Sequence, residues 1–376
     1  MPMYTDTVSP LTSTQAPPTA DVVIVGGGIA GVSLASELGD RARVVVLEAE
    51  SALFRHTSSR SAQQVQPSYG SLPVRQLTRT TLDLLRRVPE PILSPRPLYV
   101  LDLGDSTDPH ERGEGLRDAS PAEVEAAFPA LRRGIVHSAA ADDDANEVRV
   151  PALLEHYARQ AAGHRVEFVS GGRVTGARRV GSDWRLETTA GSITTPIVVN
   201  AAGSWAEDLA AVFGARSRGL QPMRRTVILS TPTGTPVGAD WPMIYDGAGS
   251  VYFRARGAEV LASPLEDEPS APEDARPRAD IVARTIARVN ELTTFDLVTA
   301  QESWTGLRTV ASDDMPIVGY DSTTPGFYWL AGQGGYGIQT SMAIAMLAAA
   351  DVLGEAGALG AEDRFAFAQL RADRFD

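Results

Sequence analysis

The sequence predicts an α/β fold with two lobes, on three observations. Near the N-terminus, a strand at 21–25, a glycine-rich turn, a helix at 29–38 and a strand at 43–48 form a β-α-β unit. Near the C-terminus, a strand at 327–331 runs through a second glycine-rich loop into a helix at 338–353. Between these segments the β-α alternation breaks, and a chain of 376 residues is long enough for two lobes.

The remaining elements follow from local patterns. A helix at 151–162 carries Pro151 in its first turn, where a backbone N–H is not needed. Residues 266–280 form a Pro-rich acidic loop ahead of a helix at 281–292. Further short strands are predicted at 166–169, 173–178, 184–188, 197–200, 224–230 and 251–255.

Two residue types are missing from the chain, and this excludes several chemistries. Without cysteine there is no disulfide, no thiolate nucleophile and no cofactor attached through cysteine. Without lysine, since all 34 basic residues are arginine, there is no Schiff base to pyridoxal phosphate. The five histidines form no ligand-spaced pair, so we expect no metal site.

Charge and the termini bear on partners and location. The net charge of −13, without basic clusters, argues against nucleic acid or an anionic membrane as a partner. Residues 1–19 are rich in Thr, Ser and Pro, lack the features of a signal peptide or presequence, and predict a flexible tail. The longest apolar run, 342–350, is too short to span a bilayer. We therefore expect a cytoplasmic protein without a transmembrane segment.

The first glycine-rich turn has the pattern G-x-G-x-x-G. Gly26 permits the tight turn, Gly28 lets a pyrophosphate approach the backbone, and Gly31 lets the helix pack closely on the strand. Glu48 ends the next strand, where its carboxylate can accept both hydroxyls of a ribose. The alternative is a plain glycine turn with a surface Glu48. The pattern predicts a dinucleotide site but does not choose between NAD and FAD.

A second signal appears far downstream, at residues 198–203. The strand there ends in Ala201, Ala202 and Gly203, and such small residues suit a backbone that passes close to a bound dinucleotide. The alternative is an ordinary junction between a strand and a loop. A nicotinamide enzyme would usually continue the regular β-α alternation, which is broken here, so the pattern favours FAD.

Four blocks of sequence resemble one family. They are the N-terminal glycine loop, residues 56–62 (HTSSRSA), residues 200–205 (NAAGSW) and residues 332–337 (GQGGYG). Together they resemble the D-amino-acid oxidase family of FAD enzymes, which includes glycine oxidase and sarcosine oxidase. Within that family the chain looks most like D-arginine dehydrogenase, and the resemblance covers about residues 20–355.

The resemblance implies a domain organisation. A discontinuous Rossmann-like FAD-binding domain of the glutathione-reductase type would comprise residues 20–62, 145–218 and 300–376. An antiparallel-sheet substrate domain would comprise residues 63–144 and 219–299 and cover one face of the flavin. Residues 1–19 would remain the flexible tail.

The resemblance also implies which residues hold FAD, which we expect to be non-covalent. Arg60 is expected to approach the pyrophosphate, and Ser61 to lie near flavin N5. The helix predicted at 338–353 would direct its N-terminus at the flavin pyrimidine, where negative charge develops on reduction. The implied cofactor residues are Gly26, Gly28, Ile29, Ala30, Gly31, Glu48, Ala49, Ser58, Arg60, Ser61, Ala62, Val174, Ala202, Gly203, Trp205, Gly306, Gly334, Gly335, Tyr336, Gly337, Ile338, Gln339 and Thr340.

The implied substrate residues are Arg225, Arg308, Tyr69, Tyr252 and Gly335. In the family the two arginine positions hold the substrate carboxylate, and a guanidinium binds a carboxylate bidentately. The two tyrosines line the same pocket. The expected reaction is oxidation of an amino acid C–N bond, with a hydride passing from Cα to flavin N5 and an imine then hydrolysing to a keto acid.

Several alternatives remain open at this point. The substrate could be a D-amino acid with a neutral or apolar side chain, or an N-substituted amino acid in a specialised pathway. The electron acceptor could be oxygen, a quinone or another compound. A non-catalytic FAD-binding subunit of a larger complex is the alternative of a different class. A flavin monooxygenase is disfavoured, because residues 333–337 lack its Gly-Asp motif.

The chain departs from its relatives at three positions. Leu98 stands where arginine-preferring relatives carry an acid that meets the cationic tail of the substrate. Gln64 and Gln66 replace a His and a Thr. We therefore expect a pocket rebuilt for a side chain other than that of arginine.

Overall fold

The structure, a computed structural model, describes residues 12–104 and 108–376. The α-helices of these residues are α1 (Ile29–Leu38), α2 (Leu72–Leu85), α3 (Pro121–Ala127), α4 (Val150–Ala162), α5 (Ala206–Phe213), α6 (Ala279–Leu292), α7 (Ser341–Val352) and α8 (Ala361–Leu370). The strands are β1 (Thr12–Ser13), β2 (Val22–Val25), β3 (Val44–Glu48), β4 (Gln64–Val65), β5 (Leu93–Pro95), β6 (Leu98–Asp102), β7 (Arg117–Ala119), β8 (Ser138–Asp142), β9 (Asn146–Val148), β10 (Val166–Ser170), β11 (Val174–Val180), β12 (Asp183–Thr188), β13 (Gly191–Thr195), β14 (Ile197–Asn200), β15 (Gln221–Ser230), β16 (Met243–Asp246), β17 (Tyr252–Arg256), β18 (Glu259–Ser263), β19 (Glu268–Pro269), β20 (Glu302–Val310), β21 (Ile317–Tyr320) and β22 (Phe327–Ala331).

The first lobe is built on a sheet with the strand order β1-β10-β3-β2-β14-β22-β21. All neighbouring pairs are parallel except β21 with β22. The central strands β2 and β14 are runs of Val and Ile, as expected for parallel strands that are buried on both faces. The carboxyl ends of β2, β3 and β14 therefore lie side by side, which brings their following loops together.

Both faces of this sheet are covered. Helices α1, α4 and α7 pack on one face in a core that includes Ile24, Val46, Leu34 and Leu347. The three-stranded antiparallel sheet β11–β13 and helix α5 cover the other face. The mixture of a parallel sheet in this lobe with an antiparallel-type sheet in the second lobe confirms the predicted α/β, two-lobed fold class.

The second lobe is built on a sheet with the order β19-β15-β18-β17-β16-β6-β8-β7, and β20 pairs with β15. It is antiparallel except for β6 with β16. Helices α3 and α6 contribute to the apolar core on one face. Strand β20 joins this sheet, although the implied domain boundaries assign residues from 300 onward to the FAD-binding domain.

The ends of the chain differ in detail from the sequence-based expectations. Residues 1–11 of the predicted tail lie outside the described residues, whereas Thr12 and Ser13 pair with β10 at the sheet edge. The helix predicted at 338–353 begins at Ser341, because residues 335–340 form turns in which the Tyr336 carbonyl accepts from the Thr340 N–H at 3.0 Å. In the described part of the chain, no helix combines the length and the apolar character needed to cross a membrane.

Candidate functional site

The turn between β2 and α1 depends on two of its glycines. Gly26 has φ +119°, and a Cβ at this position would lie 2.2 Å from the Ala201 carbonyl oxygen. A Cβ on Gly31 would lie 2.0 Å from the Gly26 carbonyl oxygen. Both distances are far below van der Waals contact, so no larger residue fits. The glycines thus let the start of α1 and the end of β14 approach the same point.

The N-terminus of α1 opens onto the surface of a cleft. Gly28 provides no side chain there, and the Ile29 N–H donates to Ser58 Oγ at 2.9 Å. The first turn of the helix directs further N–H groups and its positive dipole end at this point. A phosphate or pyrophosphate is the ligand that such a helix start favours.

Glu48 ends β3 beside this turn. Its two carboxylate oxygens accept the Gly27 N–H at 2.7 Å and the Glu50 N–H at 2.8 Å. Burial raises the pKa of Glu48, while these two backbone N–H groups act in the opposite direction. The hydrogen bonds fix the carboxylate at the cleft wall, where it can accept from ribose hydroxyls.

Two adjoining clefts meet at the glycine turn, the first within the first lobe and the second between the two lobes. Their volumes, including the space that is open to solvent, are about 1130 and 1020 Å³. Five lining residues are common to both clefts: Gly28, Thr57, Ser58, Ala201 and Gly203. FAD fits the arrangement, because a long trough with a glycine cradle at its middle and a carboxylate at one side suits an extended dinucleotide.

Most of the residues that sequence analysis selected line these clefts. The first cleft is lined by Gly26, Gly28, Glu48, Ala49, Ser58, Val174, Ala202, Gly203 and Trp205. The second cleft is lined by Gly28, Ile29, Ala30, Ser58, Arg60, Ser61, Ala62, Gly203, Arg225, Tyr252, Gly306, Arg308, Gly334, Gly335, Gly337, Ile338 and Gln339. Four selected residues are not among the lining residues of either cleft: Gly31, Tyr69, Tyr336 and Thr340.

The segment 57–62 carries Arg60 away from the glycine turn. The Arg60 guanidinium pairs with Asp274 and donates to the Thr305 carbonyl at 2.8 Å. Its charge is therefore balanced by Asp274, and the approach of Arg60 to a pyrophosphate stays a prediction. The Ala62 carbonyl accepts two N–H groups of the fully buried Arg254 at 3.1 and 3.0 Å, and this fixes the wall of the second cleft.

The pairing of β15 with β20 brings two arginines together. Arg225 stands opposite Gly306, and Met223 stands opposite Arg308. Cross-strand partners share a face and side chains alternate along a strand, so Arg225 and Arg308 are diagonal neighbours on one face. Because Gly306 has no side chain, this face remains open at that point toward the second cleft.

Tyr252 lies on the same face through a second row of partners. Tyr252 pairs with Ser263 on β18. Continuing the register of β18 with β15 by one residue places Ser263 opposite Val227, which lies two residues from Arg225 and therefore on the same face. The Tyr252 side chain is buried, yet its hydroxyl has no hydrogen-bond partner among the described residues. A buried hydroxyl without a partner costs free energy, so a ligand that hydrogen bonds to it is favoured.

The two arginines have different surroundings. Arg225 is buried; its Nε donates to the Glu266 carbonyl at 2.8 Å and its Nη2 to Asp267 at 2.7 Å. Burial lowers the pKa of Arg225, and repulsion from Arg308 adds to this effect. Arg308 is half-buried and makes no hydrogen bond or ion pair within the described residues. Arg308 is therefore the guanidinium that is available to an anionic ligand.

Tyr69 lies just before α2 and contacts the loop that precedes α7. Its ring lies 5.1 Å from that of Tyr336, centroid to centroid. A Cβ on Gly335 would lie 3.5 Å from the Tyr69 hydroxyl and 3.3 Å from Arg308 Nη1. Gly335 thus keeps the space between Tyr69 and Arg308 free of protein atoms.

The loop before α7 separates into lining and supporting residues. Tyr336 is buried behind the loop, and its hydroxyl donates to Asp314 at 2.8 Å. Burial raises the pKa of Tyr336 strongly. Thr340 is buried as well and donates to the Tyr336 carbonyl at 2.8 Å. These two residues fix the loop, while its glycines face the cleft.

The three residues expected to reshape the pocket, Gln64, Gln66 and Leu98, lie at different depths. Gln64 lines the second cleft and donates to the Arg96 carbonyl at 2.9 Å. The Gln66 amide contacts the Met243 sulfur at 3.9 Å. Leu98 does not line either cleft but packs in a small core with Val227 and Tyr252, which do. Leu98 therefore shapes the second cleft from one layer behind it.

The clefts also contain residues that sequence analysis did not select, among them His56, Thr57, Gly172, Arg173, Asp208, Val227, Leu307, Thr309 and Gln333. Val227 shares its strand face with Arg225, and strict alternation along β15 would have revealed it. The His56 ring lies 4.8 Å from that of Trp205, a contact between distant segments that has no local sequence signal.

Charge in the second cleft is of one sign. Arg60, Arg225 and Arg308 line it, whereas no Asp or Glu of the described residues does. This contrasts with the net charge of −13 for the whole chain. Asp274 and Asp267 pair with Arg60 and Arg225 from behind the lining. Among the described residues, Arg308 therefore supplies the uncompensated charge of the cleft, which suits a ligand that carries a carboxylate.

The chain is similar to several known proteins. The chain is 27% identical over 237 residues to hydrogen cyanide synthase subunit HcnC of Pseudomonas aeruginosa, covering 61% of this chain and 52% of HcnC, about half the length of that relative. Among solved structures, glycine oxidase from Geobacillus kaustophilus has a TM-score of 0.76 at 23% identity, covering 89% of this chain and 95% of that one. L-Proline dehydrogenase from P. horikoshii has a TM-score of 0.79 at 19% identity, covering 89% and 93%.

The two solved structures establish a shared fold, and the family match is broader than the match to HcnC. A model of the family described as FAD dependent oxidoreductase (DAO) matches residues 21–350, which is most of the chain. The chain therefore belongs to the DAO family of FAD-dependent oxidoreductases, and FAD is its cofactor.

Proposed function

We propose that this enzyme oxidises the C–N bond of an amino acid whose carboxylate binds at Arg308. Bound FAD supplies the two-electron acceptor for the hydride that leaves Cα. The amine nitrogen then forms a double bond to Cα, and water hydrolyses the resulting imine to a keto acid and ammonia. The chain's part is to bind and orient the substrate, which is the main requirement of this reaction.

The observation that carries the proposal is the unpaired guanidinium of Arg308 on the same sheet face as Arg225 and Tyr252. A carboxylate placed there gains charge-assisted hydrogen bonds from Arg308 and gives the Tyr252 hydroxyl a partner. Gly306 and Gly335 leave room for the rest of the substrate beside these groups.

The side-chain preference that we propose is neutral or apolar, and the chirality that we propose is D. Support for the first point comes from the lining of the second cleft, which has three arginines and, among the described residues, no carboxylate. A cationic tail would be desolvated without an unpaired carboxylate, since Asp267 and Asp274 already pair with Arg225 and Arg60, and this costs several kcal/mol. The resemblance to D-arginine dehydrogenase supports the D configuration. It also predicts a cationic side chain, which the arginines that line the second cleft disfavour.

An N-substituted amino acid is the second candidate. One of the similar structures is an L-proline dehydrogenase, and L-proline is a secondary amine. This likeness in fold makes N-substituted amino acids worth testing as substrates. A secondary amine keeps the carboxylate and the Cα hydrogen, so the same contacts at Arg308 would serve it. A non-catalytic FAD-binding subunit is the alternative of another class. It predicts that no amino acid reduces the flavin.

An anaerobic screen separates these candidates. The holoenzyme is mixed with D-, L- and N-alkyl amino acids, and loss of flavin absorbance is followed, with Arg308→Ala as the matched variant. We expect neutral D-amino acids to bleach the flavin fastest and the variant to respond far more slowly. Faster bleaching by N-alkyl amino acids would favour the second candidate. Flavin that stays oxidised with every compound would contradict an amino acid oxidoreductase.

A further inference from the structure

One acidic segment is attached to the arginines of the site. Residues 265–278, named the acidic strap below, contain five carboxylates and three prolines. Within the strap, β19 pairs with β15. Its Asp267 pairs with Arg225, its Glu273 with Arg224 and its Asp274 with Arg60. The strap is thus held to both lobes by ion pairs, and two of the three arginines line the second cleft.

The pair between Asp267 and Arg225 is asymmetric. The Arg225 side chain is only 8% exposed, whereas the Asp267 side chain is 68% exposed. Asp267 can therefore be rehydrated when it turns away, whereas the buried Arg225 needs another anion in its place. Arg225 would keep its place after that movement, because its Nε also donates to the Glu266 carbonyl at 2.8 Å.

The other groups of the site favour an anion beside Arg225. In the described part of the chain, Arg308 has no partner and neither has the buried Tyr252 hydroxyl. The two guanidinium groups are diagonal neighbours, and their mutual repulsion contributes to the lowered pKa of Arg225. A carboxylate that bridges them relieves this repulsion and satisfies the hydroxyl, which Asp267 does not do.

We propose that Asp267 holds Arg225 as a stand-in for the carboxylate of the substrate and gives way when that carboxylate binds. The inference rests on the proposed function and adds a residue that sets affinity for the substrate. Asp267 acts through Arg225 and is therefore a positioning residue. It competes with the substrate, so its removal strengthens carboxylate binding, whereas loss of a merely structural partner would weaken it.

Substitution of Asp267 tests the sign of this effect. Acetate, a carboxylate without an oxidisable amine, is titrated calorimetrically into the FAD-loaded enzyme and into Asp267→Asn. We expect acetate to bind at least about five-fold more tightly to the variant, because that factor is the upper range for exposed pairs and this pair has a buried partner. Unchanged or weaker binding in Asp267→Asn would overturn the proposal, as would a failure of both proteins to bind acetate.

Two further variants keep the test decisive. Glu268→Gln removes a carboxylate of the same strap that pairs with Arg278, and it should leave acetate affinity unchanged. Asp267→Glu keeps the competing charge and should therefore bind acetate with the wild-type affinity. This variant can be measured even if Asp267→Asn folds poorly. Tighter acetate binding in Glu268→Gln, or in Asp267→Glu, would count against the proposal. Because acetate binding needs no turnover, the two tests are distinguishable: an amino acid screen without any flavin reduction refutes the proposed function, whereas an unchanged acetate affinity in Asp267→Asn beside a positive screen refutes this inference alone.

Discussion

Replacement of Arg308 by alanine is the most informative single change. The guanidinium makes no hydrogen bond or ion pair within the described residues, so its removal leaves no protein carboxylate or carbonyl without a partner. Folding and FAD content should therefore be close to wild type. The interaction that is lost is the one with the substrate carboxylate, and loss of a buried charged hydrogen bond costs about 2–5 kcal/mol.

That free energy corresponds to a loss of about 30- to 5000-fold in kcat/KM. The assay is anaerobic stopped-flow reduction of the flavin over a range of substrate concentrations. Arg308→Lys is the matched control, and it should recover only part of the loss because an ammonium cannot bind a carboxylate bidentately. Arg225→Ala should lose activity as well, but it should also lower stability, since it leaves the Glu266 carbonyl without its donor. Efficiency within three-fold of wild type in both alanine variants would refute the carboxylate assignment.

Four further outcomes are expected. Acid precipitation should release all of the FAD, because the second cleft, where the flavin ring is expected, is lined by no cysteine or histidine of the described residues, and flavin retained in the pellet would contradict this. Gly31→Ala should prevent FAD loading, measured as flavin absorbance per protein, because its Cβ would lie 2.0 Å from the Gly26 carbonyl oxygen; normal loading would show that the turn can shift. Glu48→Ala should weaken FAD binding by at least about ten-fold in a titration of the deflavinated protein, since hydrogen bonds to a charged acceptor contribute about 1.5–3 kcal/mol. In direct competition the enzyme should prefer D-leucine or D-methionine to D-arginine, and a preference for D-arginine that survives a change of Leu98 would show that the second cleft is misread.

The parts of the fold that local pattern determines were predicted closely from the sequence. The helix Ile29–Leu38 and the strands Ile197–Asn200 and Phe327–Ala331 have the predicted bounds, because each is a strong apolar run bordered by glycine or small residues. The start of α7 was wrong by three residues, since Tyr336 and Thr340 form a tight turn that an apolar pattern does not reveal.

The parts of the site that depend on pairing between distant segments were less accessible. The pairing of Arg60 with Asp274, 214 residues away, has no local signal. The place of Leu98 behind Tyr252 follows from the parallel pairing of β6 with β16, which alternation within one strand cannot show. The family resemblance, rather than residue pattern, separated Arg225 and Arg308 from the other arginines.

The central claim is that this chain oxidises an amino acid at the C–N bond with its bound FAD. An anaerobic titration of the holoenzyme with the fastest substrate of the screen tests it directly, with the keto acid and ammonia quantified at each step. The account predicts equal amounts of bleached flavin, keto acid and ammonia for a primary amine. Bleaching without keto acid, or an FAD-loaded enzyme that no amino acid reduces, would contradict it.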